Sequence, residues 1–175
     1  MRAFAFARVV AALFAVIAAH ASAAEPAASP AGAAGAATTP SDIARKQIEA
    51  GAARDWATLK TLYAPDVRYV DPNGEFKGVD AAIAEIEKSL KPFGKVAVKI
   101  HKIYDGKDFA IVEWTADAIN DAEITLADGS TSPATGNEVN LNIVTIYDVK
   151  DGKITSERNY YDGLAMYGSL GLLGD

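Results

Sequence analysis

Polar and apolar positions alternate through part of Glu138–Val149 (E-V-N-L-N-I-V-T-I-Y-D-V), a run rich in β-branched and aromatic residues. That pattern predicts a long strand. Lys150-Asp151-Gly152-Lys153 predicts a tight turn after it, with Asp-Gly as the strong local cue. Ile154–Tyr161 is then the return strand, and after Asp162 and Gly163 a short apolar helix is expected from Leu164 to Leu170. A helical period governs the earlier chain. Val79, Ala82, Ile83, Ile86 and Leu90 fall on one helix face before Pro92 stops it. Ser41 is a candidate cap for a helix carrying Ile43, Ala44 and Ile48. Asp55 is another, for a helix carrying Trp56, Leu59, Leu62 and Tyr63 that ends at Pro65-Asp66. Val67–Asp71 reads as a short strand turning at Pro72-Asn73-Gly74. Val96, Val98 and Ile100 mark another, Phe109–Ile119 a third, and Asn120–Pro133 a polar loop. Helices come first and strands follow. The pattern predicts an α+β domain, with N-terminal helices packed on a curved antiparallel sheet and a short C-terminal helix.

The first residues read differently. Arg2 and Arg8 precede an apolar run from Val9 to Ala19, and Ala21-Ser22-Ala23 has the form of a cleavage site, so residues 1–23 are expected to be a secretory signal peptide. The run is too short for a membrane anchor, which needs about 20 apolar residues. Residues 24–40, rich in Ala, Pro and Gly, are expected to be a disordered tether, which leaves 41–175 as one domain in the periplasm or secreted. No cysteine is present, so the fold relies on its core without disulfides. The net charge of −6 becomes more negative once Arg2 and Arg8 are removed. An acidic domain without a basic run argues against nucleic acid and anionic membrane surfaces as partners.

Three stretches carry a family resemblance. Asp55–Pro72 (D-W-A-T-L-K-T-L-Y-A-P-D-V-R-Y-V-D-P) resembles the helix, strand and Asp-Pro turn of ketosteroid isomerases. Ser132–Asn137 (S-P-A-T-G-N) resembles the P-x-T-G-K turn of SnoaL-like proteins. Asp151–Ile154, with Tyr160-Tyr161-Asp162 and the Leu164–Gly171 tail, resembles their last hairpin and terminal helix. The resemblance to the NTF2-like superfamily, in particular its SnoaL-like polyketide cyclase and ketosteroid isomerase-related members, covers roughly 41–171. It implies a cone-shaped fold, a homodimer, and a pocket for a small apolar or carbonyl-containing ligand.

The resemblance also implies sites. Asp162 matches the cyclases' general acid/base, and Asp71 matches the isomerases' general base. Counting without gaps puts the isomerases' oxyanion tyrosine at Gln47 and their second acid near Ile143, so both donors are missing. Each acid also has a plainer reading: Asp162 as a helix cap and Asp71 as a turn former. Asn140 and Asn142 share one sheet face, to be ligand donors if that face lines the pocket and exposed amides otherwise. Trp114 is read as core or pocket wall. Tyr160 shares the face of Asp162 by the two-residue period, as Tyr69 shares that of Asp71. His101 is read as a solvated strand residue. No His, Cys, Asp and Glu spacing suits a metal, and Gly-Lys pairs occur only in turns, so neither a metal nor an organic cofactor is expected. Two functions stay open. One is acid/base chemistry of cyclase or isomerase type on a carbonyl compound. The other is a non-catalytic binding or dimerisation module.

Overall fold

The computed structural model describes residues 38–126 and 129–173. The expected signal peptide and nearly all of the expected tether lie outside them. Helix α1 (Pro40–Ala52) starts one residue before Ser41, because Thr39 is the cap. Its side chain accepts from the Asp42 amide while the Asp42 carboxylate takes the Thr39 amide, and Pro40 fills a first-turn position that needs no N–H. Helix α2 (Trp56–Leu62) is capped by Asp55, which accepts from Thr58 N at 3.0 Å.

Strand β1 (Tyr63–Asp71) starts four residues earlier than the alternation indicated. Pro65 is tolerated because it falls in an irregularity between Tyr63 and Arg68, where no ladder N–H is required. Strand β2 (Gly74–Lys77) folds back on β1. Helix α3 (Val79–Leu90) then buries Ala82, Ile83 and Ile86, as its periodicity requires. The remaining strands of the main sheet are β3 (Phe93–Asp105), β4 (Phe109–Asn120), β7 (Glu138–Lys150) and β8 (Lys153–Tyr161). Within the expected polar loop, β5 (Ile124–Thr125) and β6 (Thr131–Ser132) form a small separate pair. Buried Asn120 anchors that loop, donating to the carbonyls of Pro92 and Ala122 and accepting from Thr135 N at 2.7 Å. Helix α4 (Gly163–Ser169) closes the fold.

The sheet order is β2-β1-β8-β7-β4-β3. The expected antiparallel run holds through β8-β7-β4-β3 and for β2-β1, but β1 joins β8 parallel, so the sheet is mixed. Helices α1–α3 cover one face. Ile43, Leu59, Val67, Val112, Tyr147 and Ile154 are fully buried between the layers. A second cluster of Ile124, Val139 and Leu170, with Phe93 and Met166 against it, seats α4 over the end of the sheet.

One irregularity decides which side chains face inward. Val149 pairs with Ile154 but Asp148 pairs with Ser156, so Thr155 is an extra residue on β8. A β-bulge of this kind reverses the in/out alternation downstream. Ile154 points into the core, yet beyond the bulge Glu157, Asn159 and Tyr161 point inward. Ser156 and Arg158 point outward, where Arg158 pairs with Asp148 at 2.6 Å.

Candidate functional site

Between the helices and the inner sheet face lies a cavity of about 170 Å³. Its walls are mostly apolar: Phe93, Val96 and Val98 from β3, Trp114 and Ala116 from β4, Leu141 and Ile143 from β7, and Met166 from α4. Polar groups enter from β1 and β8 as Tyr69, Asp71, Glu157, Asn159 and Tyr161. Tyr69 pairs directly with Glu157 across the parallel β1–β8 contact, and Asp71 stands two residues further along the same face of β1.

Glu157 is 2% exposed and is the end point of two hydrogen-bond chains. In the first, Trp114 Nε1 donates to Thr145 Oγ1 at 2.9 Å, Thr145 donates to Asn159 Oδ1 at 2.7 Å, and Asn159 Nδ2 donates to Glu157 Oε1 at 3.0 Å. In the second, the Tyr147 phenol donates to Gln47 Oε1 at 2.8 Å, Gln47 Nε2 donates to the Tyr63 oxygen at 2.9 Å, and Tyr63 donates to Glu157 Oε2 at 2.6 Å. Each link fixes the direction of the next, so both chains deliver a donor to the carboxylate. Burial nevertheless outweighs them. It pushes the Glu157 carboxyl up to about 7, against the Tyr63 and Asn159 hydrogen bonds that pull it down, with nearby Asp71 adding to the rise. A carboxyl that titrates near neutrality can both take and return a proton there.

Asp71 is 8% exposed. Burial raises its carboxyl, the Asn73 amide at 2.8 Å counteracts this, and the negative charge of Glu85 raises it again. Tyr69 is 6% exposed, and among the described residues its phenol has no hydrogen-bond partner; its ring rests against Phe76. Burial pushes the Tyr69 phenol well up and that of Tyr161 to about 12, so both stay protonated donors near neutral pH.

The residues singled out in the sequence divide between two locations. Asp71, Tyr69 and Trp114 line the cavity, as does Ile143. Gln47 is buried beneath it, in the second hydrogen-bond chain. Asp162 is exposed and caps α4, accepting from Ala165 N at 3.0 Å. Tyr160 is 54% exposed on the outer sheet face: it keeps the side of Asp162, as the two-residue period indicated, but Asp162 itself lies outside the cavity. Asn140 and Asn142 also lie on the outer face, where Asn140 bonds to Asp117. His101 is exposed and lies 3.2 Å from Thr115 Oγ1. Nothing in the sequence pattern assigns Glu157, Asn159, Thr145 or Tyr63 to a site. The available signal was a single acid inside an otherwise strand-forming segment, and only the bulge turns it inward.

This geometry agrees with what the chain resembles among known proteins. The model of the SnoaL-like domain matches residues 44–157, so the chain belongs to the SnoaL-like domain family. No protein of curated function matches it significantly. Among solved structures, a candidate SnoaL-like polyketide cyclase from Jannaschia sp. CCS1 superposes with a TM-score of 0.68 at 19% identity, over 77% of this chain and 93% of that one. IdmH, a candidate polyketide cyclase from Streptomyces antibioticus, gives 0.64 at 20% identity, over 75% and 98%. A protein of ketosteroid isomerase-like fold from Catenulispora acidiphila DSM 44928, in complex with trimethylamine, gives 0.62 at 22% identity, over 78% and 96%. At these identities the likeness is one of fold, the NTF2-like α+β architecture, which hosts many chemistries.

Proposed function

We propose that this SnoaL-like domain is exported, encloses a small and largely apolar molecule, and moves a proton on it next to a carbonyl group, with Glu157 as the acid/base. The observation that carries the reading is a buried carboxyl in the wall of an apolar cavity, which burial pushes up to about 7. In this scheme the carboxylate takes a proton from the carbon beside the carbonyl. The partnerless Tyr69 phenol donates to the oxygen on which negative charge develops, and the protonated Glu157 returns the proton at a second carbon or to a leaving oxygen. Asp71 adds negative charge that keeps Glu157 basic. Export rests on the segment before Ala24.

Native mass spectrometry of the protein recovered from cells tests occupancy and the start of the mature chain together. Catalysis is tested by deuterium incorporation at the 2-position of cyclohexanone in heavy water. Wild type should exceed the buffer rate, and Glu157→Gln should lose about 10²–10⁴-fold of the enhancement. A wild-type rate equal to buffer, with the ketone shown to bind, leaves the second reading, a non-catalytic binding module. One observation favours that alternative: both Glu157 oxygens are already hydrogen-bonded within the protein.

A further inference from the structure

Among the described residues, Asp71 and Glu157 stand at the cavity without a basic partner. Three carboxylic side chains are buried among the described residues: Asp71, Glu85 and Glu157. The groups around Glu157 are Gln47 from α1, Tyr63, Tyr69 and Asp71 from β1, Tyr147 from β7 and Asn159 from β8. Around Asp71 stand Glu85 from α3, Tyr69 and Tyr161. None of these is basic, and no lysine, arginine or histidine is among the described residues lining the cavity. Two cations close by are engaged with groups other than Asp71 and Glu157. Lys88 lies 3.9 Å from Glu85 with most of its side chain in solvent. The Arg54 guanidinium donates to the carbonyls of Leu90, Phe93 and Gly94. Buried carboxylates are ordinarily paired, because an isolated charge in a low-dielectric interior is costly.

A second observation points to a ligand at the same place. Tyr69, more than nine-tenths buried, presents a phenol without a partner to the cavity, beside Glu157 in register and on the same face as Asp71. Its oxygen can accept an N–H, and the Tyr69, Tyr161 and Trp114 rings supply π faces of the kind that attract a desolvated cation. Apolar walls of Val96, Val98, Leu141 and Met166 lie beyond this acidic, aromatic end.

We propose that the cavity takes a lipophilic amine in its protonated form, with the ammonium among Tyr69, Asp71 and Glu157 and the hydrocarbon against the β3–β7 wall. The proposal rests on the cavity being the ligand site and goes with the binding-module reading of it, because an ammonium among these groups stands where a carbonyl would have to; it names the class of ligand that supplies the missing positive charge. An anionic ligand would add a third negative charge to this end. A neutral one would leave both acids uncompensated. An ammonium favours the ionised form of each, so near pH 7 its binding expels a proton that Glu157 holds in the empty protein.

The test uses three six-carbon rings that differ in charge: cyclohexylamine, cyclohexanol and cyclohexanecarboxylate. Each is titrated into the whole protein by calorimetry at about pH 8 and about pH 5.5, and the amine also at pH 7 in two buffers of different ionisation enthalpy. The amine should bind at least about tenfold more tightly than the alcohol at pH 8, the carboxylate should not bind, and the amine's advantage should shrink at pH 5.5. At pH 7 the amine should release protons to the buffer. Asp71→Asn and Glu157→Gln should each reduce the ratio of amine to alcohol affinity; Asp71→Asn keeps the test valid if Glu157→Gln folds poorly. Equal affinity for amine and alcohol at both pH values overturns the charge assignment and leaves the cavity as a ligand site. Binding of none of the three overturns the cavity reading as well.

Discussion

Tyr63 donates to Glu157 across 2.6 Å, and it is oriented to do so because Gln47 holds the phenol oxygen from the other side. The bond favours the carboxylate, yet burial keeps the proton on Glu157 up to about pH 7, against an ordinary value of 4.5. The folded protein therefore retains a proton that the unfolded chain has already released between those values. The stabilisation this gives is complete below about 4.5 and is lost as pH rises through about 7. At 1.36 kcal/mol per unit it is on the order of 3 kcal/mol. Glu157→Gln cannot titrate, so urea unfolding should show it gaining about that much relative to wild type between about pH 5 and 8. A difference between the two proteins that does not vary with pH would falsify the assignment.

Thr145 orients the Asn159 amide by donating to its oxygen, which leaves the nitrogen to face Glu157. Thr145→Val keeps the shape and removes that link, and Trp114 loses its acceptor with it. The Glu157 carboxyl should move higher still, read from its carbon-13 shift through a pH titration. Stability should fall by about 1–3 kcal/mol for the polar atoms left unpaired. An unchanged titration would mean that the chain from Trp114 does not reach the carboxylate.

At the start of α4, Asp162 caps the helix through Ala165 N. Asp162→Ala should cost about 1 kcal/mol in thermal or urea unfolding, whereas Asp162→Asn, an equally good cap, should cost a few tenths at most. Asp162→Asn should also retain the exchange activity expected of Glu157. Loss of exchange in a folded Asp162→Asn protein would return the acid/base role to Asp162.

The outer sheet face exposes Ile119, Val144 and Tyr160, an apolar set on strands long enough to bury it. The homodimer implied by the family resemblance should form there. Sedimentation equilibrium should give a dimer at micromolar concentration, and Val144→Glu should shift it to monomer. A wild-type monomer at that concentration counts directly against the arrangement.

Where the chain keeps one period without interruption, the sequence was readable. Val79–Leu90 holds a helical repeat throughout, and α3 buries the side predicted for it. From Val67 to Asp71 the alternation is unbroken, so Tyr69 and Asp71 share the inner face as inferred. The parallel contact between β1 and β8 joins segments more than eighty residues apart in the chain, and no local pattern encodes it. Tyr63 had the signature of a helix face and became the first residue of β1, where its phenol reaches Glu157. The β8 period was legible too, since Tyr160 does keep the side of Asp162, but the family resemblance and not the period had put Asp162 in the pocket, and both lie outside it.

The extra residue on β8, Thr155, has a consequence for how such pockets diversify. If the bulge moved beyond Asn159, the same letters would turn Ser156 and Arg158 inward in place of Glu157 and Asn159. The pocket would then exchange a carboxyl for a guanidinium with no substitution anywhere in its walls. The charge that β8 contributes to this pocket is thus set by where one surplus residue is accommodated along the strand. A shift of backbone register, which leaves the composition untouched, can replace an acid by a base in one wall of a pocket.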